Sequence, residues 1–347
     1  GAAILPLVTV GLVSIVFRFV RRSREHEVPM RRAVIVAAFV FITFAFSTMM
    51  NRESQGIGAL QSGPAANSAA EIIMLFVVST TMAVLVGVTW GACEADLREA
   101  YPEKLTSTDA LLGGLLHSRL LRASLLTGLA LAGYATLVSG LEAFLRARLG
   151  IWSSIAQGEL IAYDTAHPGF VVFIFSFTGL PLLMSLVLVA VSATHRTRGK
   201  APTRNRQIAL TLLILVFFLF TTAGNYSPPT WALLQTVLAT ATLLVPFFLG
   251  DVLTVILVTA ISTWSVLSAS LIAQPAPMLR TSGWMMMAVL AATVPAVAIA
   301  AFRRRDAGPE VEAARPEYAR NIAERLMLTT EMDAARQAQL RVMPRVV

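Results

Sequence analysis

Apolar residues fall in long runs parted by short polar stretches, at approximately 2–17, 33–50, 72–91, 123–145, 169–193, 207–223, 230–249, 252–273 and 283–302. A helix rises 1.5 Å per residue, so about 20 apolar residues cross the ~30 Å hydrocarbon core of a bilayer. Each run is read as a transmembrane helix, because a spanning segment must satisfy its own backbone amides. The pattern predicts an all-α, polytopic bundle of about nine helices over residues 1–305. Pro181, Pro246 and Pro295 lie within runs and are expected to kink them. Runs seven and eight are parted only by Gly250-Asp251, which fits a tight hairpin or one bent element.

Composition agrees. The chain is 56% hydrophobic and 14% charged, with mean hydropathy +0.70, whereas soluble domains carry about a quarter charged residues. The net charge of +8 is carried almost wholly by arginine. The arginines cluster at run ends, as membrane topology demands, so lipid rather than nucleic acid is the expected partner. Summed over alternate connections, 24 basic residues fall on one side and 4 on the other. The excess marks the cytoplasmic side. It places the tail inside a bacterial cytoplasmic (inner) membrane and Gly1 outside. An N-terminus that enters an apolar run at once, without a basic region, is read as mature rather than as a signal peptide, and an earlier segment is expected before it. Cys93 is the only cysteine and the four histidines are scattered, so no disulfide, metal site or cofactor is expected.

The stretch 92–122 is too long for a turn and mixes both charges with leucines. It is read as a cytoplasmic interfacial segment: a short helix, a break near Tyr101-Pro102, then a helix capped by Ser107 or Thr108 with Asp109 in its first turn. Glu94, Asp96, Arg98 and Glu99 form its densest charged cluster. They fit an ion site or a water-activating carboxylate, or else a solvated turn with Glu94 and Arg98 as an i,i+4 pair; the solvated turn is the commoner use of such a pattern. Asp251 is either a functional intramembrane carboxylate or the N-cap of the eighth helix. That helix carries Thr254, Thr259, Ser262, Thr263, Ser265 and Ser268, which suit helix packing or a polar pathway. Glu142 is placed to pair with Arg146, and the outer loop offers Glu159, Tyr163, Asp164 and His167. Trp90, Trp152, Trp231 and Trp284 are assigned to an interfacial belt, and Trp264 to packing between helices. No nucleotide-binding, zincin or serine-hydrolase motif occurs, and no catalytic residue is identified.

After Arg305 the composition shifts. Residues 306–315 form a linker, and 316–347 a cytoplasmic helix in which Leu328, Met332, Ala335, Gln339 and Val342 make a short heptad seam, stopped by Pro344. Glu331, Ala335, Arg336, Gln337, Gln339, Leu340, Val342, Met343 and Pro344 resemble the linker before the catalytic domain of bacterial stage II sporulation E (SpoIIE) class PPM-type serine/threonine phosphatases. Glu94 to Leu112 and Gly250 to Thr254 resemble membrane regions fused to such phosphatases, which are distantly similar to the CAAX-protease and bacteriocin-processing family. That family carries a Glu-Glu pair where this chain has Cys93-Glu94, and its histidines lie on later membrane helices, where this chain has none. The resemblance implies a membrane sensor or anchor module, expected as a homodimer, with Leu328, Met332, Ala335, Arg336, Gln339, Val342 and Pro344 in the signalling helix. Any phosphatase domain would lie beyond Val347. Three alternatives stand beside it: a small-solute or ion transporter, an accessory subunit of a larger membrane assembly, and a glutamate-type intramembrane protease built on Glu94 and Arg98.

Overall fold

The computed structural model describes residues 4–24, 28–59, 66–115, 118–153, 167–198, 203–222 and 225–302, with scattered helical positions between Glu324 and Gln339. The chain forms α1 (Ile4–Arg24), α2 (Met30–Ala59), α3 (Ala66–Ala100), the short α4 (Thr106–Leu112), α5 (Arg119–Arg148), α6 (Pro168–Arg198), α7 (Thr203–Thr222), α8 (Pro229–Leu249), α9 (Val252–Ile272) and α10 (Pro277–Phe302). The protein is an all-α, multi-pass membrane bundle. Among the described residues, eight helices are long and apolar enough to span a bilayer, where the run pattern predicts about nine. The first run coincides with α1, which is not among the eight, and most of that run's side chains lie outside the described residues.

Many large apolar side chains on these helices face outward, as lipid-facing surfaces do; Phe220 is 73% exposed and Leu137 67%. Packing between helices relies on small residues, which let backbones approach. On α3, Gly87 and Gly91 sit one turn apart on the same face. A Cβ on Gly87 would stand 2.9 Å from Ala37 Cβ and 3.1 Å from the Ala33 carbonyl of α2, so only glycine allows this approach. The principal core is built from Leu97, Leu105, Val187, Val191, Leu210, Phe247 and Val255, and it joins α3, α6, α7, α8 and α9. A second core packs Val171, Trp264, Leu267 and Leu290 between α6, α9 and α10, and it places Trp264 between helices as the sequence implies.

Pro181, Pro246 and Pro295 lie inside α6, α8 and α10 without ending them. Gly250-Asp251 makes a tight antiparallel hairpin rather than a bend, and Val252 N just after it donates to Lys104 O, in the α3–α4 connection, at 3.0 Å. The connections α1–α2, α3–α5, α6–α7 and α8–α9, of which all but the Gly250-Asp251 turn are arginine- or lysine-bearing, gather at one end, tied by contacts among Arg22, Arg32, Asp96, Lys104, Arg196 and the 248–251 turn. At the other end, Trp152-Ser153 and Tyr226-Ser227 form a two-residue antiparallel ladder. The two-sided alternation of the charges is thus matched by the packing.

The expected interfacial segment differs in detail. Its first helix is not separate: α3 runs on to Ala100 before the break at Tyr101-Pro102. The second helix starts at Thr106 without a side-chain cap, so neither Ser107 nor Thr108 serves as one. Ser107 and Asp109 are buried while Leu111 and Leu112 are exposed, so α4 presents its polar face to the bundle.

Candidate functional site

The last two turns of α3 carry Glu94, Asp96, Arg98 and Glu99 beyond the apolar run, on a helix long enough to project past the hydrocarbon. Glu94 is 0% exposed. The expectation of a solvated turn is therefore corrected: the helix end is wrapped by α1, α2, α4 and α6. Burying a carboxylate is costly unless it is paired and fully hydrogen-bonded, and these residues meet that condition.

Glu94 Oε1 accepts from Arg98 Nη2 at 2.8 Å, Arg98 Nε at 3.1 Å and Arg32 Nη1 at 3.1 Å. Its Oε2 accepts from Trp90 Nε1 at 2.7 Å. Trp90 is thus not an interfacial belt residue but a buried donor one turn before Glu94. Arg98 donates to both oxygens of Asp109, at 2.8 and 2.9 Å, and Arg32 Nη2 also pairs with Asp109. Two guanidiniums and two carboxylates alternate in a closed ring that joins α2, α3 and α4 and carries no net charge.

A second group lies beside it. Asp96 is bonded by Arg22 and Ser192 and approached by Arg196 Nε at 3.4 Å. Arg18 Nη1 donates to Ser192 Oγ at 2.6 Å, and His195 Nε2 lies 3.3 Å from Glu99. This group fastens α1 and α6 to α3.

Asp251 forms a third centre. It is the N-cap of α9, accepting from Thr254 N and Thr254 Oγ1, each at 2.9 Å. Its other oxygen accepts from Ser124 Oγ at 2.5 Å and from Ser107 Oγ. One carboxylate therefore collects four donors from α4, α5 and α9. Lys104 Nζ caps the end of α8 by donating to Phe248 O at 2.9 Å and Gly250 O at 2.7 Å, where unpaired carbonyls favour a cation. Burial pushes the Lys104 ammonium below its ordinary value, and the Asp251 and Glu103 carboxylates oppose this.

This arrangement suits holding rather than reacting. A general base must offer a lone pair to a substrate or water, and both oxygens of Glu94 are occupied by arginine and tryptophan donors. Among the described residues, no three His, Cys, Asp or Glu side chains converge as a metal site would require. Glu142 and Arg146 make the expected i,i+4 contact at 3.7 Å, and Trp231 Nε1 donates to Glu142 at 3.1 Å. Of the outer-loop candidates only His167 is described; Glu159, Tyr163 and Asp164 lie outside the described residues. In the tail, Leu328, Met332, Ala335, Arg336 and Gln339 are helical and exposed, while Val342 and Pro344 lie outside the described residues.

Sequence reasoning missed Arg22, Arg32, Ser124 and Ser192 as partners, and read Asp109 only as a helix-dipole residue. Arg22 and Arg32 register in sequence as topology signals, and nothing along the chain announces which carboxylate each will meet. Comparison with protein-family models, curated proteins and solved structures gave no match to this chain.

Proposed function

We propose that this chain is the membrane input module of a signalling protein, anchored in a bacterial inner membrane with its charged end and tail in the cytoplasm. The carrying observation is the tail seam. Leu328 and Met332, one turn apart, stand 60% and 72% exposed on a helical segment. Apolar residues at heptad spacing are buried when a second copy supplies the facing helix. The charge distribution supports the orientation, since the end that gathers the buried ion pairs also carries the arginine-rich connections. A platform fixed by such pairs moves as a unit, so a shift among the helices would turn or re-register the tail rather than dissipate. By the resemblance of the tail, the attached domain is a PPM-type phosphatase.

Two experiments test this reading. A single cysteine at Met332, in a Cys93→Ala background, should form a disulfide-linked dimer in native membranes; a chain that stays monomeric removes the pairing. In the full-length protein, inserting one residue between Pro316 and Arg325 turns the seam by about 100° and should change phosphatase output, and inserting seven should restore it. A stop codon directly after Val347 would defeat the phosphatase assignment and leave the tail as a docking helix.

One observation favours transport as a second reading. Thr254, Thr259, Ser262, Ser265 and Ser268 form a buried polar row on α9 above Asp251. Solute uptake by proteoliposomes that survives deletion of the tail would support it.

A further inference from the structure

We propose that Arg18 and Arg196 form a binding site for the phosphodiester headgroup of an anionic phospholipid, in the leaflet that borders the charged end of the bundle. Each guanidinium closely follows an apolar run, Arg18 after run 2–17 and Arg196 after run 169–193. Both therefore sit where hydrocarbon gives way to headgroups, the depth at which lipid phosphates lie. α1 packs chiefly on α3, and Arg18 reaches past that contact to α6, where its Nη1 donates to Ser192 Oγ at 2.6 Å. Arg196 Nε, on α6 itself, approaches Asp96 Oδ2 at 3.4 Å, and the same oxygen accepts from Ser192. Only Ser192 Oγ and one carboxylate oxygen thus stand between the two arginines.

The charges here do not close as they do in the ring around Glu94. Arg18, Arg22 and Arg196 converge on Asp96, and Arg22 takes one of its two oxygens. Glu99 faces Arg22 at 3.9 Å and His195 at 3.3 Å, and even with Glu99 counted the guanidiniums outnumber the carboxylates. Arg18 and Arg196 are near enough to repel one another, and at the edge of hydrocarbon such a pair is costly until an anion joins it. Both have donors to offer, since a guanidinium carries five N–H groups. Among the described residues Arg18 bonds only to Ser192, it is partly exposed, and none of its nitrogens is both buried and unbonded. The Arg196 side chain is 41% exposed, and its one protein contact is the long approach to Asp96.

Chemistry and depth select the ligand together. Guanidinium N–H groups match phosphate oxygens in pairs, and basic pockets between membrane helices hold anionic headgroups. Val13, Val16, Phe17 and Val20 are exposed on α1 beside Arg18, so an acyl chain attached to the bound phosphate would run along apolar side chains. A zwitterionic headgroup brings its own ammonium to a place that already holds excess positive charge, which disfavours it. The site uses neither the tail nor any attached domain, so it stands apart from the signalling reading.

The test uses the full chain, freed of lipid in dodecyl maltoside micelles and titrated with palmitoyl-oleoyl phosphatidylglycerol or phosphatidylcholine, with retained lipid read by native mass spectrometry. Phosphatidylglycerol should be retained saturably and about tenfold more tightly than phosphatidylcholine. Arg18→Gln and Arg196→Gln should each weaken its retention about tenfold, the effect of one lost charge-assisted hydrogen bond. Arg196→Lys keeps the charge but not the fork, and should fall between. Arg119→Gln removes an exposed arginine of α5 at the same end and should change nothing, which separates a site from general attraction to a basic surface. Should Arg18→Gln not fold, Arg196→Gln and the lipid preference of the wild type decide the matter. Equal retention of the two lipids would overturn the proposal, as would retention that Arg196→Gln leaves unchanged or that Arg119→Gln weakens equally. Saturable binding of inorganic phosphate by a chain that retains no phosphatidylglycerol would overturn it too.

Discussion

Both terminal nitrogens of Arg98 donate to the two carboxylate oxygens of Asp109, at 2.9 and 2.8 Å, and so tie the end of α3 to a helix only a few residues further on. The pair is almost wholly buried, and Glu94 and Arg32 close the ring around it. Buried charges tolerate removal as a set better than removal one at a time.

Arg98→Ala should therefore destabilise the bundle by about 3–5 kcal/mol, because the ring would keep two buried carboxylates, Glu94 and Asp109, with only one of its two guanidiniums, Arg32. The double variant Arg98→Met with Asp109→Leu should lose less than the sum of the two single losses. Unfolding by sodium dodecyl sulfate titration in mixed micelles measures both, and additive losses would contradict the coupling drawn here.

Asp251→Ala should cost more than Asp251→Asn by about 1 kcal/mol or more. Alanine removes the cap of α9 and the acceptor of the Ser107 hydroxyl, and leaves Ser124 only its bond to Leu120 O, whereas asparagine keeps an acceptor for Thr254 N. Thermal melts of the two variants side by side provide the comparison, and equal losses would mean the carboxylate cage contributes little beyond volume.

Lys104 makes stability depend on alkaline pH. Burial lowers its pKa in the folded protein below the ordinary 10.5. Between the folded and unfolded values the unfolded chain binds more protons, so stability rises with pH across that window. The burial penalty on the charged form is present in full below the folded value and is relieved as pH climbs towards 10.5. The melting temperature of the wild type should thus gain on that of Lys104→Met as pH approaches about 10, and parallel curves would remove Lys104 as the cause. Because Lys104 is about half-buried, solvent screening keeps the effect modest.

Gly87→Leu should separate α2 from α3. Even a Cβ at this position meets Ala37 Cβ at 2.9 Å, and overpacking a close interface costs about 1–3 kcal/mol. Limited proteolysis of the α2–α3 connection, before and after substitution, reports the loosening directly. Unchanged protection would show that the helices can part without loss.

The spans, their number to within one, and the two-sided alternation of charge were legible along the chain. Hydrocarbon thickness and backbone self-satisfaction act on each run separately, so run length and flanking arginines carry that information without reference to any neighbour. The N-cap at Asp251, the break at Tyr101-Pro102 and the Glu142–Arg146 pair were legible for the same reason, since each is settled within a few residues. Tertiary structure alone decided the rest. Glu94 and Arg98 read along the chain as a solvated turn sooner than as a functional site, and their burial emerged only when Arg32, 62 residues away from Glu94, and Asp109 were brought against them. Asp96 could not be matched to Ser192, nor Asp251 to Ser124, because side chains from distant helices meet only once those helices pack. The sequence by itself determined that this protein crosses a membrane many times and where its charges cluster. Which charges neutralise one another followed only from the packing, because pairing energies depend on distance and burial that no local pattern encodes.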